Sequence, residues 1–574
     1  MSPESLPPWA AQMRDLFRSG AVAQFLLHGN VFDTVPAGER LLSLKQFLDE
    51  VMFPTYDVVL HYDRSRGIRP AKGGEDWGAW LRDAVGDALP LTQMREPGAA
   101  LELLDRYLLR TLNLRAMGGG QESKAPRTIA LVIDFAEFVV PQGEALALGG
   151  GFSANVVKLL GWANDPAVLH ANVVSVLIAE GLHDLNELVV NNPHAAALHV
   201  PLPDEAEMGA YVAALRASEF PDLERQSDVP LPVLGRRLTG LSRVGARTAL
   251  ALALRNGQRV TAEWLSRIKK GLIERECRGL LEFVESPFTL DRVAGHAAVK
   301  QWLRDDAALL RQGAVHTLPM GYLITGRIGT GKTFLVQCWA GELGVPCVVL
   351  KNFRDRWVGA TESNLEKIFA VLRALGQVVV FVDEADQAAG RRGGDESDSG
   401  LSGRVYAMLA KEMADTSNRG KIIWVFATSR PDLLEVDLKR QGRLDVHMPL
   451  FPPETREEVR ELFLGIAKRL GAALTEADLP PIDPKLGLSG SEIEAMLVRA
   501  LRAQALAPEP RPPLKALLAD TVRDVRANAN TRALEYMDLV AVRECTDVRF
   551  LPPRFRGLAP EEVESRLRAL RSLD

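Results

Sequence analysis

The sequence has few of the features that mark secreted and membrane proteins. Its four cysteines are scattered and form no CxxC pair, so neither a disulfide framework nor a cysteine zinc site is indicated. No apolar run reaches the length of about 18 residues that a membrane-spanning helix needs. The N-terminus has no basic stretch followed by an apolar core. These absences predict a protein of the reducing cytoplasm without a membrane span.

The sequence also lacks a strong excess of charge. With 69 basic and 74 acidic residues the net charge is −5, which gives no general attraction to nucleic acid or anionic lipid. No DNA-binding module is recognisable, so a nucleic-acid partner is not expected. Hydrophobic residues make up 47% of the 574 residues, enough to bury ordinary cores in several domains.

Five segments of the first half recur in the second half, in the same order and at a nearly constant spacing. TIALVID, ending at Asp134, resembles VVVFVD, ending at Asp383, and HVPLP from His199 resembles HMPLF from His447. This pattern predicts a structural duplication. The alternative is two unrelated α/β domains that share apolar strands and amphipathic helices.

Each half alternates apolar, β-rich runs with helical stretches. The runs are FLLHGN, YDVVLHY, TIALVIDF and VVSVLIA, then GYLITG, PCVVL, VVVFVD and IIWVFAT. Continuous apolar strands between helices indicate a parallel sheet covered on both faces. The fold class expected is therefore α/β, with two tandem αβα parallel-sheet domains, each followed by a helical lid. The expected domains are 1–203 (α/β), 204–275 (helical lid), 276–453 (α/β), 454–541 (helical lid) and 542–574 (C-terminal tail).

The sequence GRIGTGKT follows the apolar strand GYLIT and precedes a helix start. It is the G-x-x-x-x-G-K-[ST] phosphate-binding loop in the strand–loop–helix setting that its chemistry requires. Its glycines let backbone N–H groups face phosphate oxygens, and the helix N-terminus adds a positive dipole. Lys332 is expected to reach the β- and γ-phosphates of ATP, and Thr333 to bind Mg²⁺. The remaining nucleotide-binding residues predicted here are Gly326, Gly329, Thr330 and Gly331.

An acidic pair ends the apolar strand VVVFVDE. Because ligands bind at the carboxyl ends of parallel strands, these acids are expected near the phosphate loop. Asp383 is suited to hold Mg²⁺, and Glu384 to orient and polarise the water that attacks the γ-phosphate.

Several further motifs now make the region of about 286–500 resemble the AAA+ ATPases, in particular the classical AAA clade. They are FTLDRVAGHAAVKQWL, WVGATESNL, FVDEAD, FATSRPDLLEVDLKRQGRLD and GLSGSEIEAML, in the family's order. The resemblance implies an αβα nucleotide-binding domain, a helical lid and a homo-oligomer, usually a hexameric ring. It covers somewhat more than a third of the chain.

The resemblance also assigns roles to residues outside the phosphate loop. Arg440 and Arg443 match the family's paired arginine fingers, which act on the neighbouring subunit's nucleotide; a guanidinium fork suits charge developing on a γ-phosphate. Ser429 stands where the family usually has a sensor asparagine. Because serine is shorter, hydrolysis is expected to be slower or water-mediated.

Two further sets of residues match the family's motifs. Trp357, Val358 and Gly359 match the pore loop that grips unfolded polypeptide, although a tryptophan after a strand is also an ordinary core residue. The residues expected around the adenine, in the pocket and at the lid, are Val293, Gly295 and Gly490.

The first half repeats the pattern without the chemistry. Gly29, in FLLHGNVFDTV, is not followed by GK[ST], and Phe135 follows Asp134 where the second half has Glu384. The first half is therefore predicted to be a degenerate AAA-like domain.

These observations together predict an ATP- and Mg²⁺-dependent ATPase assembly that remodels, unfolds or disassembles a protein partner through a central pore. The alternative is a nucleotide-switched oligomeric scaffold with slow turnover, whose N-terminal half recruits a partner. The sequence names no substrate.

Overall fold

A computed structural model describes residues 6–38, 40–85, 94–117, 128–143, 150–277, 280–284, 286–351, 361–388, 396–524 and 531–571. The chain divides into two compact units. Unit 1 comprises Met1–Ile273 and Ala360–Ala374, and unit 2 comprises Glu274–Gly359 and Leu375–Asp574. Among the described helices, none combines the length and apolar content needed to cross a bilayer.

Unit 1 is built on a parallel sheet whose strands match the apolar runs of the first half. Its strands are β1 (Gln24–Gly29), β2 (Thr34–Ala37), β3 (Arg40–Ser43), β4 (Val58–Asp63), β5 (Gly67–Lys72), β6 (Ile129–Asp134), β7 (Val173–Ile178) and β8 (Ala195–Val200). The described sheet has the order β5-β4-β6-β7-β1-β8, and β2 and β3 form a separate hairpin. All neighbours in the sheet are parallel except β4 and β5.

Side chains of successive strand residues point to opposite faces, so the sheet of unit 1 carries two cores. On β6, Ile129, Leu131 and Ile133 pack into the core of one face, whereas Ala130 and Val132 pack into the core of the other. All six residues of β4, β6 and β7 are buried. Burial on both faces is why these strands read as unbroken apolar runs rather than as alternating ones.

Helices cover both faces of this sheet and continue into a helical segment after β8. They are α1 (Pro8–Arg18), α2 (Leu44–Phe47), α3 (Gly74–Val85), α4 (Pro97–Met117), α5 (Gly150–Asn164), α6 (Pro166–Leu169), α7 (Glu187–Val190), α8 (Glu205–Ser218), α9 (Leu223–Gln226), α10 (Leu231–Leu238), α11 (Arg243–Arg255) and α12 (Ala262–Glu276).

Unit 2 contains a second sheet with the same connectivity. Its strands are β9 (Leu281–Val284), β10 (Gly321–Thr325), β11 (Cys347–Leu350), β12 (Val378–Val382), β13 (Ile422–Thr428) and β14 (Val446–Pro449). The described order is β9-β11-β12-β13-β10-β14, with β9 antiparallel and the rest parallel. Taken in chain order within each half, the five parallel strands are arranged 2-3-4-1-5 in both sheets. The predicted duplication is therefore confirmed at the level of topology.

The helices of the second half lie between and after its strands, and one of them, Thr361–Leu375, belongs to unit 1 as far as Ala374. They are α13 (Ala297–Arg311), α14 (Lys332–Leu343), α15 (Thr361–Leu375), α16 (Ala385–Ala388), α17 (Glu396–Met413), α18 (Arg456–Arg469), α19 (Gly490–Leu506), α20 (Leu514–Asp524), α21 (Thr531–Glu544), α22 (Pro553–Arg556) and α23 (Pro560–Arg571). Sequence signals start several of them: Thr455 before α18 and Ser489 before α19 each form a capping box, which satisfies N–H groups at the helix start.

The segment predicted as a C-terminal tail is packed against unit 2. Helix α21 runs across the expected boundary at residues 541 and 542. Phe550 joins the core of the nucleotide-binding domain and meets Trp302 edge-on at 5.5 Å. Proline residues in this stretch stand at the starts of helices, at Pro553 and Pro560.

Candidate nucleotide site

The phosphate loop has the strained backbone that its glycines allow. Strand β10 ends at Thr325 and α14 begins at Lys332; between them Gly326, Gly329 and Gly331 have φ of 136°, 83° and 86°. A Cβ atom at Gly326 would overlap the carbonyl oxygen of Leu450. Glycine is therefore needed for both conformation and space. The loop leads into the N-terminus of a 12-residue helix, an arrangement suited to binding anions.

Lys332 is folded back onto this loop. Its Nζ donates to the carbonyl oxygens of Gly326 at 2.7 Å and Arg327 at 3.1 Å. Burial lowers the pKa of Lys332 to about 8, against the opposing influence of the nearby carboxylates, of which Asp383 contributes most. The ammonium thus lies in a partly desolvated site where a polyphosphate would favour its charged form.

The predicted magnesium ligands lie next to each other. The hydroxyl of Thr333 donates to Oδ2 of Asp383 at 2.7 Å. A hydroxyl and a carboxylate beside a phosphate loop are hard oxygen donors of the kind that hold Mg²⁺ together with phosphate. Glu384 follows with a left-handed φ of 46° and is exposed, and its N–H donates to Oδ1 of Asp383 at 2.9 Å.

A cavity of about 840 Å³ opens beside the phosphate loop. Among the residues predicted to bind nucleotide, those that line it are Val293, Gly295, Gly329, Thr330, Gly331, Lys332, Thr333 and Gly490. The described lining does not include Asp383, Glu384, Ser429, Arg440 or Arg443. The structure thus gathers the predicted adenine and phosphate residues around one space, with the acidic pair linked to it through Thr333.

The lid contacts the phosphate loop directly. The N–H of Gly490, at the start of α19, donates to the carbonyl oxygen of Gly329 at 3.0 Å. The buried guanidinium of Arg327 donates to the carbonyl oxygen of Gly487 in the loop before α19. The lid is therefore hydrogen-bonded both to the backbone and to a side chain of the loop that would hold phosphate.

Ser429 lies half-buried just after β13. The preceding residue, Thr428, makes a contact that the sequence did not reveal: its hydroxyl donates to Asp386 at 2.5 Å and accepts from the N–H of Arg430 at 2.9 Å. Asp386 is two residues beyond Glu384, so this bond ties the end of β13 to the acidic turn. The sequence feature that could have indicated this contact is a threonine at the carboxyl end of a central strand.

Arg440 and Arg443 lie in the turns between β13 and β14. Both contact Asp437: Nη1 of Arg440 lies 3.3 Å from its Oδ1, and Arg443 pairs with its carboxylate and donates to its carbonyl oxygen at 2.6 Å. Arg440 is exposed, and Arg443 is half-buried. The predicted pore-loop residues Trp357, Val358 and Gly359 lie outside the described residues.

The C-terminal segment supplies part of the cavity wall, which sequence reasoning missed. The lining residues from this segment are Arg549, Phe550, Leu551, Pro552, Pro553 and Arg556. They lie more than 200 residues from the phosphate loop in the chain, and no motif marks them.

In unit 1, side chains of the unit itself are bonded to one another in the region that corresponds to the nucleotide site of unit 2. The carboxylate of Asp33, four residues after Gly29, accepts from the N–H groups of Arg243 at 2.8 Å and Val244 at 3.0 Å, at the start of α11. Asp134 pairs with Lys45 at 2.5 Å. In unit 1, the N–H groups at the start of α11 and the carboxylate of Asp134 are thus bonded to side chains of the same unit.

A doubly covered parallel sheet with a phosphate loop after one strand and an acidic pair after another defines a P-loop nucleoside triphosphatase. Family models match three stretches: the AAA+ chaperone N-terminal Rossmann-like domain at 2–201, the AAA+ chaperone second helical domain at 209–278, and the ATPase family associated with various cellular activities at 322–451. Together these three models place the chain among the AAA+ proteins, and residues 322–451 match the AAA ATPase domain. The first half is the degenerate copy that its sequence predicted.

Curated relatives match part of the chain. The ATP-dependent zinc metalloprotease FtsH 1 of Symbiobacterium thermophilum is 32% identical over 227 residues, 38% of each protein. The cell division cycle protein 48 homolog of Archaeoglobus fulgidus is 31% identical over 229 residues, 39% of this chain and 28% of the relative. FtsH 3 of Sphaerobacter thermophilus is 32% identical over 207 residues, 36% of this chain and 41% of the relative. The chain thus spans well under half the length of these relatives.

Proposed function

We propose that this protein is an ATP-driven assembly that remodels, unfolds or disassembles a protein partner. The observation that carries the proposal is the asymmetry between two copies of one fold. Unit 2 has a cavity lined by the phosphate loop and the lid, with Thr333 and Asp383 in contact beside it. Unit 1 has the same sheet order and fills the corresponding positions with internal ion pairs. One half would do the chemistry and the other would organise the assembly.

In this proposal each residue of the site acts on ATP in a defined way. Lys332 and the loop N–H groups hold the phosphates, exchanging the carbonyl contacts of the lysine for phosphate oxygens. Thr333 and Asp383 hold Mg²⁺, which supplies charge neutralisation to the phosphates when bound. Glu384, which is exposed next to Asp383, orients the attacking water.

The exposed position of Arg440 supports action on a neighbouring copy. An exposed guanidinium on a turn is available to a γ-phosphate outside its own subunit, where it would offset developing charge. Hydrolysis would therefore require a homo-oligomer, for which we propose a hexameric ring. The contacts of Gly490 and Arg327 with the lid would carry nucleotide-dependent closure to the rest of the subunit.

Substrate engagement is assigned to the pore-loop motif Trp357–Gly359, since an aromatic ring packs against polypeptide of any sequence. The partner is a protein whose identity the site does not specify. A cytoplasmic location is part of the proposal because the cysteines are scattered, which suits a reducing compartment.

The test is a pair of variants in the purified full chain. Glu384→Gln keeps the shape of the side chain and removes the base, so it should bind ATP, stabilise the assembled state and retain the protein partner from a lysate. Lys332→Ala should fail to bind ATP and serves as the matched control. If Glu384→Gln hydrolyses ATP at the wild-type rate, the proposed base is wrong. If wild-type protein binds no adenine nucleotide with magnesium, the proposed function itself is wrong.

A second candidate is a nucleotide-switched scaffold with slow turnover. It is favoured by the short side chain of Ser429 at the sensor position and by a first half without nucleotide chemistry. Trp357→Ala separates the two: loss of remodelling with ATPase retained supports threading, whereas no effect on either activity supports the scaffold.

A further inference from the structure

The C-terminal helices α21 and α23, together called the C-terminal hairpin, form a small core of their own on unit 2. Leu539 and Val540 of α21 pack with Val563 and Leu567 of α23 and with Phe451, which follows β14. Beside this core, Nδ1 of His447 on β14 lies 2.8 Å from the carbonyl oxygen of Glu544. The hairpin is therefore fixed to the edge of the sheet from which the loop carrying Arg440 and Arg443 emerges.

A first buried contact joins the hairpin to the start of that loop. The side chain of Asp432 is 3% exposed. Nε and Nη2 of Arg430 donate to its Oδ1 and Oδ2, each at 3.0 Å, and the hydroxyl of Tyr536 donates to Oδ2 at 3.0 Å. Nε of Arg571 donates to the same hydroxyl at 2.8 Å. Burial acts to raise the pKa of Asp432, but the hydrogen bonds and charge of these partners outweigh it and hold the pKa below its usual value.

A second contact joins the hairpin to the residue before Arg440. Nζ of Lys439 donates to Oε1 of Glu544 at 2.8 Å and to the carbonyl oxygen of Pro431 at 3.0 Å. The side chains of Lys439 and Glu544 are 11% and 14% exposed, so water screens this pair weakly. One ammonium thus connects the start of the loop, its later turn and the hairpin.

The two contacts lie at positions that fix where the arginines stand. Asp432 holds the chain just after β13, and Lys439 holds it one residue before Arg440. In a site completed between subunits, the rate depends on placing a guanidinium to within a fraction of an ångström of the transferring phosphate. Binding of ATP to the phosphate loop does not need these contacts.

We propose that Tyr536 and Glu544 of the C-terminal hairpin are positioning residues for ATP hydrolysis, which hold Arg440 and Arg443 for use by the neighbouring subunit. The inference rests on the proposed function, since it presupposes a shared site. It assigns to the segment after residue 531 a part in turnover that no motif of the sequence indicates.

The test uses three variants of the full chain. Tyr536→Phe removes both hydrogen bonds of the hydroxyl and keeps the ring, and Glu544→Gln removes the charge and keeps the shape. Glu535→Gln is the matched control: Glu535 neighbours Tyr536 on α21 but forms a solvent-exposed pair with Arg566 at 2.7 Å. The two test variants should lower kcat about tenfold, because displacement of a catalytic group by 1 Å can cost about a hundredfold. KM and the affinity for a non-hydrolysable ATP analogue should stay within about twofold of wild type, because the phosphate loop is untouched.

Mixed assemblies separate positioning of the arginines from general weakening of the fold. A Glu384→Gln subunit lacks the base but has correctly held arginines, whereas a Tyr536→Phe subunit has the base and displaced arginines. Mixed before assembly in equal amounts, they should hydrolyse ATP faster than the mean of the two separate preparations. The control mixture of Glu384→Gln with Lys332→Ala has no subunit able to both bind and hydrolyse ATP, and should show no such gain.

Three results would overturn the inference: wild-type kcat in both test variants, a loss of analogue affinity equal to the loss of kcat, or no gain in the mixed assemblies. Failure of the proposed function looks different, because wild-type protein itself would then show no ATPase activity.

Discussion

Removing the carboxylate of Asp33 is expected to release the helical segment of unit 1. Asp33 is 4% exposed and its oxygens accept from the N–H groups of Arg243 and Val244 and from Nδ2 of Asn30, all within 3.0 Å. The guanidinium of Arg243, a residue only 6% exposed, lies 3.9 Å from the same carboxylate. This group occupies the start of α11, so it fixes the lid of unit 1 without any nucleotide.

The magnitude follows from what the substitution Asp33→Ala leaves behind. Breaking a buried ion pair by removing one partner costs about 3–5 kcal/mol, since the other charge stays buried. Losing an acceptor at a helix start costs about 1 kcal/mol, but the same oxygens serve both functions, so the two amounts overlap. Arg243 keeps a contact of 3.2 Å with the partly exposed Glu207, which limits the loss. We therefore expect unit 1 to lose about 3–4 kcal/mol of its free energy of unfolding.

The assay is hydrogen exchange read by mass spectrometry on peptides of α11, with urea unfolding of the full chain alongside. In Asp33→Ala the amides of α11 should lose protection while those of α14 in unit 2 keep it. Asp228→Ala is the control, because Asp228 pairs with Arg259 in the same helical segment but the two side chains are 47% and 61% exposed. This substitution should leave protection nearly unchanged. Equal effects of Asp33→Ala and Asp228→Ala would refute the assignment of Asp33 as the internal lock.

Two further predictions concern unit 2. Burial lowers the pKa of Lys332 to about 8, and bound phosphate favours its ammonium form, so nucleotide binding should take up close to one proton at pH 9 and almost none at pH 7. The affinity should fall up to about tenfold per pH unit above 8. Calorimetry in buffers of different ionisation enthalpy measures the proton uptake, and no uptake at pH 9 would contradict the prediction. Phe550→Ala should cost unit 2 about 3–5 kcal/mol in urea unfolding, since it empties a buried site against Trp302; a loss below about 1 kcal/mol would instead mean that the C-terminal segment is loosely attached.

The phosphate loop could be predicted from sequence because its causes are local. Strand β10, the loop and α14 are consecutive in the chain, and glycine spacing alone determines which backbone conformations are available. The parallel sheets were likewise predictable, because unbroken apolar strands between helices indicate a parallel sheet, whereas the order of the strands was not predicted. The edge strands β5 and β9 were missed, since short strands at a sheet edge have a weaker apolar pattern.

The contribution of the C-terminal segment could not be predicted in the same way. Phe550 reaches the core of the nucleotide-binding domain, and Pro552 reaches the cavity, through contacts between residues far apart in the chain. Proline and arginine near a terminus fit a flexible tail as well as a docked one, and the difference lies in packing partners that periodicity does not identify. The bond from Tyr536 to Asp432 is of the same kind, because each residue is ordinary until the fold brings them together.

Glu384 and Phe135 show which part of the site belongs to the fold and which to the chemistry. They follow the equivalent strands β12 and β6, and both have left-handed backbones, with φ of 46° and 54°. That conformation costs a non-glycine residue roughly 1–2 kcal/mol. A need to aim a carboxylate does not explain this backbone at Glu384, because Phe135 has no carboxylate and keeps the same conformation. The turn after the strand therefore imposes it in both halves, and the catalytic role proposed for Glu384 would use a geometry that the fold already provides. Phe135→Glu would therefore add an acid at the equivalent turn of unit 1 and still give no hydrolysis there, because no GK[ST] follows Gly29, Asp134 stays paired with Lys45 and the start of α11 stays bonded to Asp33.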